Sequence, residues 1–119
     1  MGLAGIQISP AIRAGDYIFV SGQLGSVDVG GNPIAGIEAQ TERCLGNLKQ
    51  VLAAAGSSLD DVVKVTIFLR REEDFATMNR VYQRYFVTDR PARSTVVAGL
   101  ALPDMLVEID CIAYSPDEG

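Results

Sequence analysis

The sequence predicts an α+β fold in which two helices pack on one face of a mixed β-sheet. Two segments show the apolar spacing of amphipathic helices, and the remaining apolar segments alternate as half-buried strands do. These segments follow one another in the order strands, helix, strand, helix, strands. That order is typical of a layered domain with its helices on one side of a sheet.

The first half of the chain predicts a hairpin, a long loop and a helix. Residues 11–14 and 17–21 flank a Gly-Asp pair, which is typical of a tight hairpin turn. Residues 21–36 contain five glycines, which indicates a long loop with at most a short strand inside it. Residues 37–55 are predicted to be helical because apolar side chains recur at i, i+3, i+4 and i+7, followed by a terminating glycine: Cys44, Leu45, Leu48, Val51, Leu52, Ala55, then Gly56.

The second half predicts a strand, a second helix and two closing strands. Residues 62–69 alternate, with these apolar side chains on one face: Val63, Val65, Ile67 and Leu69. An acidic segment at 72–74 favours a helix N-terminus, and this helix is predicted to continue to about Phe86. Its apolar stripe consists of Phe75, Met78, Tyr82, Tyr85 and Phe86. The closing strands are predicted at 93–98 and 106–114.

The two faces of this sheet are expected to differ in composition. The last strand has an apolar face suited to lie beneath the helices: Val107, Ile109, Cys111 and Ala113. The opposite face is expected to mix apolar and charged side chains: Leu106, Glu108, Asp110, Ile112 and Tyr114, with Phe19, Ser21, Phe68, Arg93, Thr95 and Val97 from other strands. Because this mixture is too apolar for a solvated face and too charged for a core, we predict that another subunit covers it.

Length and composition favour one domain spanning residues 1–119, with no metal site. Apolar residues make up 48% of the chain, and the formal net charge of −5 argues against nucleic-acid binding. The chain has no histidine, and neither cysteine has a metal-like spacing. Cys44 and Cys111 could form a bridge on counting alone, but their apolar surroundings favour free buried thiols. With no signal peptide and no apolar run of membrane length, the predicted location is cytoplasmic.

Arg93 stands out because it follows a proline-containing loop and begins an apolar strand. A guanidinium is rarely placed there without a partner. If residues 99–105 form the turn of an antiparallel hairpin, Glu108 lies opposite Arg93 or Thr95. This pair has two interpretations. It is either a cross-strand ion pair, or an anion pocket in which Arg93 binds a carboxylate and Glu108 handles a water or a proton.

Asn79, Ser21 and Gly22 each have a structural and a functional interpretation. Asn79 lies beside the apolar stripe of the second helix, where it is either a satisfied core amide or a support for the pocket. Ser21 and Gly22 end a strand, where they either make a turn or contact a ligand through a hydroxyl and a backbone amide.

Several segments resemble the reactive intermediate deaminase family, which is also known as the YjgF or L-PSP endoribonuclease family. They occur in order along nearly the whole chain: Ser21-Gly22-Gln23, Val63 to Leu69, Asp74-Phe75-Ala76-Thr77-Met78-Asn79, Arg90-Pro91-Ala92-Arg93-Ser94-Thr95 and Glu108-Ile109-Asp110. The most specific mark is the Pro-Ala-Arg-Ser segment with the downstream glutamate.

This resemblance implies a chorismate-mutase-like fold and a homotrimer, with the sheets forming an inner barrel and three clefts between subunits. It implies hydrolysis of enamines and imines such as 2-aminoacrylate to a 2-keto acid and ammonia, with no cofactor. On the family pattern, Arg93 would hold the substrate carboxylate, and Glu108 with the Thr95 backbone carbonyl would position water. Other matching positions would line or support the pocket: Ser21, Gly22 and Asn79.

The chain departs from the best-studied deaminases of this family at two positions. Thr95 replaces a cysteine, and Ile8 replaces an N-terminal aromatic residue, which makes that pocket wall more apolar. Two functions other than deamination are also compatible with this family. One is a regulatory module that binds 2-keto acids without turnover. The other is an endoribonuclease or translation inhibitor, which the acidic composition and the missing histidine disfavour.

Overall fold

In residues 9–88 and 91–116, which the computed structural model describes, one five-stranded sheet is covered by two α-helices. The strands are β1 (Ala11–Ala14), β2 (Tyr17–Leu24), β3 (Val62–Leu69), β4 (Ala92–Val97) and β5 (Val107–Tyr114), and the helices are α1 (Ile37–Ala54) and α2 (Phe75–Tyr85). Short 3₁₀ turns precede β3 and α2, at Leu59–Asp61 and Glu72–Asp74. The predicted α+β class is confirmed, and the predicted helices and strands occur close to their expected bounds.

The strand order is β1-β2-β5-β3-β4, and it corrects the predicted hairpin. β5 pairs antiparallel with both β2 and β3, whereas β4 pairs in parallel with β3. A parallel pair requires a crossover connection, which α2 provides here. Because β3 lies between β4 and β5, the prediction that Glu108 lies opposite Arg93 or Thr95 is wrong. In the sheet, Glu108 pairs with Leu24 and Phe68.

Arg70 holds the connection from β4 to β5, which is a crossover and not the predicted hairpin turn. Arg70 follows β3 and donates from Nε to the Met105 carbonyl at 2.6 Å and from its guanidinium to the Leu102 carbonyl at 2.7 Å. Its backbone N–H also donates to the Leu106 carbonyl at 3.0 Å. These contacts hold the connection across the end of β3, so β5 enters the sheet on the far side of that strand.

The core lies between the helices and one face of the sheet. The last strand buries its predicted apolar face: Val107, Ile109, Cys111 and Ala113. Cys44 and Cys111 are free and buried, as predicted, and burial raises the pKa of the Cys111 thiol to about 12. One prediction in β3 is wrong, because an irregularity between Val62 and Lys64 buries Val62 and leaves Val63 44% exposed.

The other face of the sheet carries exposed apolar side chains among polar ones. These are Ile12, Tyr17, Phe19, Val96 and Tyr114, each at least 42% exposed. The aromatic rings of Tyr17 and Tyr114 are 5.3 Å apart on this face. The predicted homo-oligomer would cover it and stays a prediction. Among the described residues, no helix has the length and apolar character needed to cross a membrane.

Gln40 on α1 joins three parts of the chain through its buried side-chain amide. Its Nε2 donates to the carbonyls of Ile34 at 2.9 Å and Asp104 at 3.0 Å, and its Oε1 accepts from the Leu106 N–H at 2.8 Å. The side chain therefore holds the loop before α1 and the crossover before β5 together.

Replacing Gln40 with leucine is expected to destabilise the fold by about 2–4 kcal/mol, because it removes three hydrogen bonds and leaves part-buried backbone groups without partners. Urea unfolding at fixed protein concentration measures this change. Gln50→Leu is the matched control on the same helix, since Gln50 is exposed and surface changes usually stay within about 0.5 kcal/mol. Equal stability of the two variants would contradict the role given to Gln40.

Candidate active site

Glu108 lies beside a bulge in β2. The register passes from Val20 opposite Cys111 to Gln23 opposite Ile109, so Ser21 and Gly22 together face a single residue of β5. A Cβ atom on Gly22 would overlap the Glu108 carboxylate and lie 2.9 Å from its Cδ. Glycine at this position therefore lets the Glu108 side chain pack directly against the β2 backbone. We call Ser21, Gly22 and Glu108 the Glu108 half-site.

The environment of Glu108 favours its protonated form more than water does. Its neighbours Val107 and Ile109 are buried beneath the helices, so alternation places the Glu108 side chain on the other face of the sheet. Burial raises the pKa of the Glu108 carboxyl, and the negative charge of Asp110 raises it further. A carboxylate whose pKa is raised toward neutrality is suited to accept a proton from water.

The Glu108 half-site opens into a cavity of about 620 Å³. Helix α1 contributes Arg43 and Asn47 to its wall, and Met105 lines it near the start of β5. The Ser21 hydroxyl donates to the Ser9 carbonyl at 2.6 Å, so this hydroxyl fixes the segment before β1. Gly22 packs against Glu108, and the Ser21 hydroxyl already has a protein partner. The ligand contacts predicted for Ser21 and Gly22 stay predictions.

Arg93 lies on the edge strand β4 and points to the helix side of the sheet. In the parallel register, Arg93 pairs with Val65, Thr95 with Ile67 and Val97 with Leu69. Since Val65, Ile67 and Leu69 are buried beneath the helices, their partners share that face. The prediction that Arg93, Thr95 and Val97 share a face with Glu108 is therefore wrong, and its cause is the incorrect strand pairing.

The guanidinium of Arg93 is held by neutral groups of α2. Its Nη1 donates to the Asn79 Oδ1 at 2.6 Å, and its central carbon lies 4.7 Å from the Tyr82 ring centre and 5.8 Å from that of Phe75. Within residues 9–88 and 91–116, no carboxylate forms an ion pair with it. Asn79 is therefore a partner of Arg93, and the guanidinium keeps donors for an external anion.

Thr95 lies two residues further along β4. Its Oγ1 is buried and has no hydrogen-bond partner in the described part of the chain. The Ala98 N–H donates to the Leu69 carbonyl at 2.9 Å, so backbone alternation turns the Thr95 carbonyl toward the free edge of the sheet. We call Asn79, Arg93 and Thr95 the Arg93 half-site. A cavity of about 250 Å³ lies beside its Asn79 and Arg93 side chains.

The structure thus groups the predicted site residues into two half-sites and does not join them within one chain. Ile8 lies outside the described residues. Tyr82, from the predicted apolar stripe, is buried in the core and also contacts Arg93. This contact was not predicted, although the i+3 spacing from Asn79 places both side chains on one helix face. Within the described ranges, no group of three or more His, Cys, Asp or Glu side chains could hold a metal ion.

Fold and half-sites together define a small α+β protein with an arginine that has no carboxylate partner among the described residues and, separately, a glutamate that lines a cavity. The sequence profile described as endoribonuclease L-PSP matches residues 4–115. The chain belongs to this family, which includes the reactive intermediate deaminases and the YjgF proteins. The family resemblance seen in the sequence is confirmed.

Relatives in this family are similar over most of the chain. A RutC family protein of Pyrococcus horikoshii is 45% identical over 107 residues, which cover 89% of this chain and 85% of that protein. Reactive Intermediate Deaminase A, chloroplastic, of Arabidopsis thaliana is 43% identical, with 88% and 57% covered. The 3-aminoacrylate deaminase RutC of Acinetobacter baylyi is 40% identical, with 88% and 84% covered.

Solved structures show the same fold. The YjgF gene product of E. coli has a TM-score of 0.86 at 33% identity, covering 93% of this chain and 90% of that chain. E. coli TdcF with bound serine has a TM-score of 0.85 at 32% identity, covering 91% and 87%. The fold of this chain is therefore the YjgF fold.

Proposed function

We propose that the protein hydrolyses reactive enamines and imines of the 2-aminoacrylate type to 2-keto acids and ammonia. One observation supports this proposal above all. The half-buried guanidinium of Arg93 is held by Asn79 and has no carboxylate partner among the described residues. Its planar fork suits a substrate carboxylate, which accepts two parallel hydrogen bonds. The names of two relatives, a reactive intermediate deaminase and a 3-aminoacrylate deaminase, support the same class of reaction.

The proposed active site forms between subunits of a homotrimer. The two half-sites lie on opposite faces of the sheet, so one chain alone does not bring Arg93 to Glu108. The exposed apolar face and the free edge of β4 are surfaces that a second subunit would cover. Light scattering on the purified protein tests the trimer, and a monomer with full activity would contradict the shared site.

In the proposed reaction, Arg93 binds the α-carboxylate of the substrate. An enamine such as 2-aminoacrylate first becomes the imine, as its terminal carbon takes up a proton, its nitrogen loses one, and the C=C bond is replaced by C=N. Glu108 and the Thr95 carbonyl accept hydrogen bonds from one water, whose oxygen then attacks the imine carbon. The electron pair of the C=N bond moves to nitrogen, which takes up a proton and gives a carbinolamine. That intermediate loses ammonia as its C–N bond breaks, and the C=O bond of the 2-keto acid forms.

The test generates 2-aminoacrylate in situ with a β-eliminating enzyme and follows its decay spectroscopically. We expect a decay rate that rises in proportion to added protein and exceeds the uncatalysed rate. A decay rate that equals the uncatalysed rate would overturn the proposal, because the protein would then not accelerate hydrolysis.

The alternative is a module that binds 2-keto acids without turnover. One structural relative was solved with bound serine, which supports small-molecule binding in this fold. Saturable thermal stabilisation by 2-ketobutyrate, without imine hydrolysis, would favour this alternative. The family description also names an endoribonuclease, and RNA cleavage by the purified protein would revive that function. The cytoplasmic location stays a prediction, since relatives include chloroplastic and mitochondrial proteins.

Gly22→Ala is expected to lower kcat/KM about 10- to 100-fold while leaving most of the stability in place. The new methyl group displaces the Glu108 carboxylate, and misplacing a catalytic group by about 1 Å is costly. The flexible end of the glutamate can move, so the fold need not shift. Gly46→Ala is the control, because a Cβ there meets no atom within 4 Å. Equal activity of both variants would contradict the placement of Glu108 in the reaction.

A further inference from the structure

The cavity beside Glu108 is larger than a short imino acid requires. Its volume of about 620 Å³ lies in the range of pockets that hold drug-sized ligands. Part of its wall is apolar, formed by side chains from β2, the following loop and the crossover: Leu24, Val27, Leu102 and Met105. In the single chain, a substrate with only a methyl or methylene side chain would leave most of this space unfilled.

Arg43 is the basic residue among the described residues that line this cavity. Its Nε is buried and has no hydrogen-bond partner within the described part of the chain. Its guanidinium likewise forms no ion pair with the described carboxylates. A buried donor without a partner is costly, which indicates that a ligand or water satisfies it.

Two polar side chains that line the cavity with Arg43 already have hydrogen-bond partners. Asp28 also lines the cavity, but its Oδ1 accepts from the Asn32 backbone N–H at 2.9 Å and its Oδ2 lies 3.3 Å from the Asn32 side-chain amide. Asn47 donates its side-chain amide to the Leu24 carbonyl at 3.1 Å. The positive charge of Arg43 helps to lower the pKa of Asp28, but no described residue forms an ion pair with the Arg43 guanidinium. Arg43 therefore keeps a cation for a ligand that enters the cavity.

We propose that Arg43 is a specificity residue that binds a second carboxylate, at the end of the substrate side chain. This inference rests on the proposed function, in which Arg93 holds the α-carboxylate. The preferred substrates are then dicarboxylic 2-imino acids, and water converts their C=N bond to C=O with release of ammonia while the distal carboxylate is unchanged. The apolar wall contacts the methylene groups between the two ends.

The test compares two imines of similar side-chain length, produced in situ by amino-acid oxidases from glutamate and from norleucine. Semicarbazide traps the imine that is not hydrolysed, so the measured signal is the decrease in the rate of semicarbazone formation when the protein is added. The measured quantity is the ratio of kcat/KM for the glutamate imine to that for the norleucine imine. We expect wild type to favour the dicarboxylic imine, and Arg43→Met to lower the ratio about 10- to 100-fold, the size of a lost charge-assisted hydrogen bond.

Lys49→Met is the matched control, because it removes the same charge from an exposed position on the same helix. Its ratio is expected to match wild type. Arg43→Gln gives a second variant that keeps polarity if the methionine variant fails to fold. A ratio that does not fall in either folded Arg43 variant would overturn the inference while leaving the deaminase proposal intact.

A different result separates the two proposals. If wild type hydrolyses 2-aminoacrylate but neither of these imines, the Arg43 inference is overturned and the deaminase proposal stands. If it hydrolyses none of the three, the proposed function fails, and the Arg43 subsite is then judged by binding. Thermal stabilisation by 2-oxoglutarate that exceeds that by 2-oxohexanoate, and is lost in Arg43→Met, would support the subsite. Equal stabilisation by both acids in wild type would overturn it.

Discussion

Replacing Arg93 with alanine is expected to lower kcat/KM for 2-aminoacrylate about 10²- to 10⁴-fold, since two charge-assisted hydrogen bonds of about 1.5–3 kcal/mol each are lost. The guanidinium is already oriented by Asn79 and by the Tyr82 ring, so little further ordering is needed when a carboxylate binds. The same coupled decay assay measures the loss, with KM and kcat determined separately. We expect much of the effect in KM, because the carboxylate is bound before the chemistry starts.

Two further variants make this result specific. Arg93→Lys keeps the positive charge but loses the planar fork, so its kcat/KM is expected to fall between alanine and wild type. Arg80→Ala removes an exposed arginine from α2, where its guanidinium lies 3.4 Å from the Thr77 hydroxyl. We expect this variant to match wild type. Equal kcat/KM for Arg93→Ala and Arg80→Ala would remove Arg93 from substrate binding.

The elements of this fold could be predicted because their signals are local. The apolar spacing of α1 and α2 and the alternation of β5 depend on residues a few positions apart, and each element occurs where its pattern placed it. The strand order could not be predicted in the same way. It depends on pairing between strands that are far apart in the chain, and the Arg70 contacts with the crossover likewise join residues more than 30 positions apart.

The candidate site shows the same division between local and distant information. Arg93 and Glu108 were each chosen from their place in a strand, but their predicted proximity assumed a hairpin that the sheet does not contain. The close approach of Glu108 to Gly22 arises from a bulge register between distant strands. Arg43 had no signal at all, because an arginine on an amphipathic helix usually faces solvent. Only packing against the cavity distinguishes it.

The separation of the half-sites also follows from the topology. A parallel β3–β4 pair places Arg93 on the helix face at the sheet edge, whereas alternation in β5 places Glu108 on the opposite face. In a single chain the substrate carboxylate and the attacking water would therefore lie on different sides of the sheet. In the proposed homotrimer, Arg93 of one subunit and Glu108 of another would meet where the edge strand of one subunit covers the open face of the next, and neither residue would have to move within its own chain.

Glu108→Gln is expected to lower kcat about 10²- to 10⁴-fold, because an amide cannot take a proton from the attacking water. The substitution keeps size and shape, so binding through Arg93 should persist. Stability should persist as well. The pKa of Glu108 is raised by burial and by Asp110, so the folded protein binds this proton more tightly than the unfolded chain. Ionisation of Glu108 therefore lowers the free energy of unfolding as pH rises, and the neutral glutamine avoids that cost.

The pH profile gives this assignment a readout that misfolding would not reproduce. Wild-type activity is expected to fall on the acid side as Glu108 takes up a proton, with a midpoint above the ordinary glutamate pKa of 4.5. Asp110→Asn removes the neighbouring negative charge, so it should lower the pKa of Glu108 and move the acid limb to lower pH. After the uncatalysed rate is subtracted at each pH, the residual activity of Glu108→Gln should lack this limb. An acid limb that is the same in all three proteins would assign the proton transfer to another group.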